Sequence, residues 1–91
     1  MKIEQTPSFK RDFKKLKKKH YDMNELKKAV ETLVVQDSQR LMTKYKDHAL
    51  KGQWKGYREL HIEGDWLLIY KINHEAIILT LVRTGSHDEL L

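Results

Sequence analysis

The chain has no cysteine, and this absence removes several kinds of chemistry at once. A disulfide framework, a cysteine-ligated zinc site and a thiol nucleophile are all excluded. The lack of cysteine agrees with a reducing compartment, and we expect a cytoplasmic protein.

Long apolar runs are also absent. The two longest are Trp66–Tyr70 (WLLIY) and Ala76–Leu79 (AIIL), both far short of the roughly 20 residues that cross a bilayer as a helix. Residues 1–10 contain no apolar core of the signal-peptide type. We therefore expect no contact with a membrane.

The length of 91 residues predicts one domain spanning 1–91, and the formal net charge of that domain is +5. Acidic residues are scarce in one stretch of it. Seven of the eleven residues from Phe9 to Lys19 are basic, and Asp12 is the only acid among them. A solvated helix face is one interpretation, but this clustering favours a polyanionic partner such as nucleic acid. The lysines expected to follow a phosphate backbone are Lys10, Lys14, Lys17 and Lys18.

Two helices are predicted in the first third of the chain. Thr6 and Pro7 are typical of an N-cap and a first helical position, and Phe9, Phe13 and Leu16 follow at helical spacing. Asp22 is expected to cap a second helix, whose apolar residues repeat at the same spacing. These residues are Met23, Leu26, Val30 and Leu33.

From residue 57 the apolar period changes to two. Strands are predicted over 57–62, 66–72 and 76–84, with turns between them, and Lys2–Gln5 is a candidate edge strand. Residues 36–56 are polar and irregular, with a possible helical turn over 40–45, and 86–91 is expected to be a short tail after Gly85. The predicted fold is α+β, with an N-terminal helical hairpin packed on one face of a small antiparallel sheet. The other face would be free for a ligand.

Five residues in the second half of the chain carry the types of group needed to cleave a phosphodiester. They are His48, His61, Asp65, Arg83 and His87. RNA supplies its own nucleophile, the 2′-hydroxyl, so an enzyme needs a base, an acid for the leaving 5′-oxygen and a cation at the phosphate. Histidine suits both proton transfers, and the charged fork of arginine suits the phosphate. No cofactor is required, and the product would be a 2′,3′-cyclic phosphate.

Taken singly, each of these residues has a plain structural interpretation, such as an exposed histidine or a turn aspartate. A zinc site is a rival use of the histidines, but no HxH or HxxxH pair is present, and we predict no metal. Trp54, Tyr57 and Trp66 could stack on bases, although aromatic residues in so small a domain are more often core.

Longer motifs join these residues. The stretches Asp47–Ile62 (DHALKGQWKGYRELHI), Asp65–Tyr70 (DWLLIY) and Arg83–His87 (RTGSH), with the Lys-rich start and His20–Asn24 (HYDMN), closely resemble the YafQ branch of the RelE/ParE toxin superfamily. The resemblance covers nearly the whole chain. It implies a RelE-like fold and a bacterial type II toxin that cuts mRNA on the ribosome.

The resemblance also implies roles for single residues. His48, His61, Asp65 and His87 match the acid–base set of that family, Arg83 its phosphate-binding arginine, and Trp66 a tryptophan beside the site. We expect His87 as the general acid and His61 or His48 as the base, although these labels could be exchanged. The family often ends in Phe where this chain has Leu91, so we expect the contacts with bases to differ there.

The implied partners are a cognate antitoxin protein, the ribosome and mRNA, and operator DNA only through the antitoxin complex. ParE-type relatives share the fold and poison DNA gyrase but lack this His/Asp set. A gyrase-inhibiting toxin and a non-catalytic nucleic-acid-binding domain are therefore the alternatives.

Overall fold

The computed structural model describes residues 1–91 as four α-helices around a five-stranded sheet. The chain runs through β1 (Lys2–Gln5), α1 (Pro7–Lys18), α2 (Met23–Val34), α3 (Ser38–Thr43) and β2 (His48–Ala49). A 3₁₀ turn (Gly52–Trp54) leads to β3 (Arg58–Glu63), β4 (Trp66–Asn73), β5 (Ile78–Ser86) and α4 (His87–Leu90). The α+β class and the two N-terminal helices are confirmed. No helix is both long and apolar enough to cross a membrane.

The first two helices begin at the caps that the sequence predicts. The Thr6 hydroxyl oxygen accepts a hydrogen bond from the Phe9 amide at 3.0 Å and donates to the Val82 carbonyl at 2.6 Å. It therefore fixes the start of α1 and ties that start to β5. Asp22 accepts from the Asn24 amide at 3.0 Å at the start of α2. Such caps satisfy amide groups that have no partner inside the helix.

The helices pack on one face of the sheet. Phe9, Leu16, Leu26 and Leu33 bury their side chains there, and each contributes about 1.5–3 kcal/mol by leaving water. The sheet supplies alternate residues of β3, β4 and β5, as the period of two requires. These residues are Leu60, Ile62, Trp66, Leu68, Tyr70, Leu79 and Leu81.

The sheet is mixed rather than purely antiparallel. Its strand order is β1-β5-β4-β3-β2, and β1 pairs with β5 in the parallel direction. The other pairs are antiparallel, as expected for strands joined by short turns. β1 is separated from β5 by most of the chain, so no local signal fixes its neighbour or its direction.

Two other segments differ from the prediction. His48 lies in the short strand β2 instead of a loop. Strand β5 continues through Gly85 to Ser86, and the predicted tail forms α4. The Ser86 hydroxyl accepts from the Glu89 amide at 3.3 Å and donates to the Glu89 carboxylate at 3.1 Å. This side-chain cap at Ser86 explains why the chain turns helical immediately after the strand.

Candidate functional site

The pairing of the strands places most of the predicted site residues on the sheet face opposite α1 and α2. One cross-strand row reads His48–Glu59–Ile69–Arg83, and the next reads His61–Leu67–Gly85. Residues paired across strands project from the same face. The helical face is filled by the larger core cluster, whereas the second face carries only the small cluster of Leu67, Ile69 and Leu90, so a ligand has better access there.

Two of the predicted histidines meet at a buried carboxylate. Oε1 of Glu59 lies 3.1 Å from Nε2 of His48 and 3.5 Å from Nε2 of His61. The two imidazole rings are 6.1 Å apart and inclined by 31°. The Glu59 side chain is only 4% exposed, whereas His48 is 51% and His61 35% exposed. The carboxylate therefore forms the floor of a site whose imidazoles face solvent.

Glu59 was not among the predicted site residues. Its sequence signal was the alternation Glu59-Leu-His61, which places both side chains on one face of β3. A buried carboxylate needs partners, because burial of an unpaired charge is costly. Its second oxygen, Oε2, is buried without a hydrogen-bond partner, so the contacts of Glu59 are concentrated on Oε1.

The two histidines have different surroundings. Nδ1 of His48 lies 2.9 Å from the Lys46 carbonyl oxygen, so both nitrogens of this ring face oxygen acceptors. His61 meets an acceptor only at Nε2. A neutral His61 can donate from Nε2 and keep the lone pair of Nδ1 for an incoming proton.

Asp47, beside His48, anchors the short strand β2. Its Oδ2 accepts from Nη2 and Nε of Arg58 at 3.0 and 3.3 Å, and its Oδ1 accepts from the Tyr70 hydroxyl. The Asp47 side chain is 9% exposed. Burial, followed by the Asp47 carboxylate, raises the pKa of Tyr70 above its ordinary value. The carboxylate also raises the pKa of Arg58. This network holds the chain segment that presents His48.

The backbone of Arg83 lies in the same cross-strand row, but its guanidinium turns away from the imidazoles and bonds to α1. Three strand spacings of about 4.8 Å separate it from His48, or about 14 Å between backbones. Its Nε and Nη2 donate to Oδ2 and Oδ1 of Asp12 on α1 at 2.7 and 3.1 Å. The bond to Asp12 raises the pKa of Arg83. Asp12 also accepts from the Thr84 amide at 3.1 Å, so it holds both the Arg83 guanidinium and strand β5.

Asp65 and His87 meet through their backbones at the end of the sheet. The His87 amide donates to the Asp65 carbonyl at 3.0 Å. The His87 side chain is 57% exposed, and its nearest carboxylate is Asp88 at 3.9 Å. Helix α4 is held by the buried Leu90 and by an ion pair of Glu89 with Lys15 at 2.9 Å. The structure therefore groups His48 with His61, and Asp65 with His87, while Arg83 stands apart.

Trp66, which was predicted to contact the substrate, has a side chain that is only 2% exposed. It lies on the helical face, donates to Thr84 Oγ1 at 2.8 Å and contacts the Tyr21 ring edge to face at 5.0 Å. Its role is to pack β4 against β5. Leu91 is 45% exposed at the chain end. The four predicted phosphate contacts on α1 are all exposed: Lys10, Lys14, Lys17 and Lys18.

The absence of paired histidines does not exclude a metal site. One ligand atom from each of His48, Glu59 and His61 lies within 4.8 Å of the others. Imidazole nitrogens and a carboxylate are ordinary ligands of zinc and copper. The prediction of no metal considered spacing along the sequence, whereas β2 and β3 bring these ligands together across the sheet.

The chain was compared with known proteins. All residues, 1–91, match the family of bacterial toxins of type II toxin–antitoxin systems named YafQ. The mRNA interferase toxin YafQ of Escherichia coli K12 is 44% identical over 88 residues, which cover 97% of this chain and 92% of the relative. The metal-bound toxin of Helicobacter pylori has a TM-score of 0.90 and 43% identity, over 100% of this chain and 99% of its own. YafQ in the E. coli DinJ–YafQ complex has a TM-score of 0.83 and 43% identity, over 98% and 96%. The chain therefore belongs to the YafQ family of toxins from bacterial type II toxin–antitoxin systems.

Proposed function

We propose that this YafQ-family mRNA interferase toxin cuts messenger RNA on the ribosome by acid–base catalysis through the RNA 2′-hydroxyl. The observation that supports this most strongly is the His48–Glu59–His61 cluster on the open face of the sheet. It offers two imidazoles for proton transfer, and Nε2 of each lies within 3.5 Å of one oxygen of the same buried carboxylate. Groups already close together need less ordering during the reaction.

His61 is the better candidate for the general base. Glu59 can hold Nε2 of His61 as a donor, which leaves Nδ1 to take the 2′-hydroxyl proton. His48 has an oxygen atom near each ring nitrogen, so it is less free to take a proton and would help to position the phosphate beside His61.

The general acid would come from the other end of the sheet. The exposed imidazole of His87 can give a proton to the leaving 5′-oxygen, with Asp65 close to it through the backbone bond. Arg83 would stabilise charge on the phosphate with the guanidinium hydrogens that Asp12 does not use.

The test is cleavage of a defined mRNA on programmed ribosomes, with the 5′ ends of the fragments mapped. His61→Ala, His48→Ala and His87→Ala should each lower the rate by about 10²–10⁴-fold, the usual contribution of general acid–base catalysis. His74→Ala is the matched control, because His74 is exposed in the β4–β5 turn. Full activity of a site variant would remove that residue from the mechanism. Intact mRNA together with a supercoiling defect would favour the gyrase-directed alternative.

We also propose that the partners follow the family. The E. coli relative is solved in complex with DinJ, and a cognate antitoxin is expected here. Its acidic side chains would meet the basic face of α1. Ribosome and mRNA would be the targets in the cytoplasm, and operator DNA would be bound only through the antitoxin complex. Co-expression with the cognate antitoxin should restore growth and yield a stable complex.

A second candidate function is transition-metal binding by His48, Glu59 and His61. The ligand geometry favours it, and the H. pylori relative is a metal-bound toxin. A bound ion would occupy the lone pairs that proton transfer needs. One equivalent of Zn²⁺ or Cu²⁺ should therefore bind in calorimetry and suppress cleavage, and His48→Ala should lower the affinity. Unchanged heats in this variant would place the ion elsewhere.

A further inference from the structure

Two aromatic residues lie next to the His48–Glu59–His61 cluster and have no part in the chemistry above. Tyr57, Glu59 and His61 alternate along one face of the chain entering β3, so the Tyr57 backbone lies about 7 Å from that of Glu59. Trp54 reaches the same face from the preceding 3₁₀ turn. Both pack beside Leu67 and Ile69.

The two rings form a defined pair. Their centroids are 5.3 Å apart, and their planes meet at 88°. Both residues are partly exposed, in contrast to the fully packed Trp66. Gly52 and Gly56, with φ of +65° and +93°, allow the tight turns on either side of Trp54.

Positive charge surrounds this pair. Lys51 and Lys55 flank Trp54 in sequence and are exposed, and residues 50–57 contain no acid. The Lys71 ammonium lies 5.4 Å from the centre of the Tyr57 ring. Aromatic rings set among cations are what proteins use to bind unpaired bases and their phosphates.

We propose that Trp54 and Tyr57 form a base-stacking site for single-stranded RNA, about one nucleotide away from the acid–base cluster. The site would hold the base of the nucleotide neighbouring the scissile phosphate, while Lys51, Lys55 and Lys71 contact the backbone. This inference rests on RNA being the substrate. Binding, however, is measured separately from cleavage, so the two can fail independently.

The chain is well suited to a fluorescence test. It has two tryptophans, and only Trp54 is accessible because Trp66 is buried. The cleavage-impaired variant His61→Ala is titrated with a short oligoadenylate and with an abasic oligomer of the same length and charge. The proposal predicts that the oligoadenylate quenches the indole emission and that the abasic oligomer leaves it almost unchanged.

Variants at Trp54 separate stacking from packing. Leu at this position keeps an apolar contact with Ile69 but offers no aromatic face, whereas Phe keeps a face. By anisotropy of a labelled oligomer, Trp54→Leu should bind roughly 5- to 150-fold more weakly, the range for one lost base stack, and Trp54→Phe should lose much less.

The comparison of the two oligomers on His61→Ala requires no Trp54 substitution, so it decides the matter even if Trp54→Leu does not fold. Equal quenching and equal affinity for the abasic oligomer would overturn the proposal, as would full affinity of folded Trp54→Leu. Base-dependent quenching without mRNA cleavage by the wild type would uphold the stacking site and reject the nuclease.

Discussion

Replacing Asp47 by Ala should be one of the most damaging single polar substitutions in this protein. The change removes the partner of the Tyr70 hydroxyl and of the Arg58 guanidinium together. Tyr70 is only 1% exposed, and a buried hydroxyl left without a partner costs about 1–3 kcal/mol. The Arg58 side chain is 44% exposed, so water screens that ion pair to about 0.2–1 kcal/mol. The expected loss is about 1–4 kcal/mol.

The measurement is urea unfolding followed by far-UV circular dichroism. A loss near 2.5 kcal/mol corresponds to a fall in Tm of roughly 10–20 °C for a domain of this size. Asp47→Asn is the matched control, because Asn keeps one oxygen that accepts from Tyr70 and loses the charge and the acceptor for Arg58. It should cost clearly less than Ala.

A double variant gives a sharper test. Adding Tyr70→Phe to Asp47→Ala removes the hydroxyl that has lost its partner, so the double variant should be more stable than Asp47→Ala alone by about 1 kcal/mol. Additive losses from the two changes would refute the account of Asp47 as the anchor. Cleavage should also fall in Asp47→Ala, because the segment carrying His48 is no longer fixed.

Other perturbations have equally definite outcomes. Burial raises the pKa of Tyr70 in the folded protein. The contribution of Tyr70 to stability is therefore present below the unfolded tyrosine pKa of about 10 and is lost as the pH rises above that value. Urea unfolding should show this decline in stability, and Tyr70→Phe should make the decline smaller. Asp12→Ala releases the Arg83 guanidinium, and single-turnover cleavage should slow by about 10- to 100-fold with little change in RNA affinity; an unchanged rate would show that Asp12 does not position Arg83. Ile77 is 55% exposed with φ of +56°, which a β-branched residue tolerates poorly, so Ile77→Asn should raise the unfolding free energy by about 1 kcal/mol; a loss of stability would contradict this.

The sequence predicted those parts of the fold that depend on neighbouring residues. The starts of α1 and α2 were predicted because Thr6 and Asp22 bond to amides two or three positions away. The strands were predicted because their side chains alternate between two faces. The direction of β1 was not predictable, since it depends on a pairing with Ile78–Leu81 at the far end of the chain. The start of α4 was missed although its signal, the Ser86 cap, is local. Gly85 was interpreted as the end of the last strand and residues 86–91 as a short tail.

The same distinction applies to the site. The histidines could be predicted from their chemistry and from the family resemblance. Their common partner, Glu59, could not be predicted, because it is brought beside His48 only by the pairing of β2 with β3. The ion pair between Arg83 and Asp12 joins residues 71 positions apart. Asp12 lies within a lysine-rich stretch, where composition alone suggests a solvated acid. Residue type alone gave Trp54 and Trp66 the same ability to stack on a base. Their burial in the structure distinguishes them, because Trp66 is buried and Trp54 is partly exposed.

The proposed contacts of His48 and Arg83 with the scissile phosphate would restrict where that phosphate can lie. His48 and Arg83 stand on opposite sides of β4, with backbones about 14 Å apart, and Ile69 lies between them in the same row. A phosphate that contacts both must lie above Ile69, with the two side chains extending toward it. Ile69 itself is buried in the small apolar cluster with Leu67 and Leu90, so the phosphate would rest on an apolar surface. The side chains of His48 and Arg83 are 51% and 34% exposed, so both can extend from the two sides of this surface toward the phosphate.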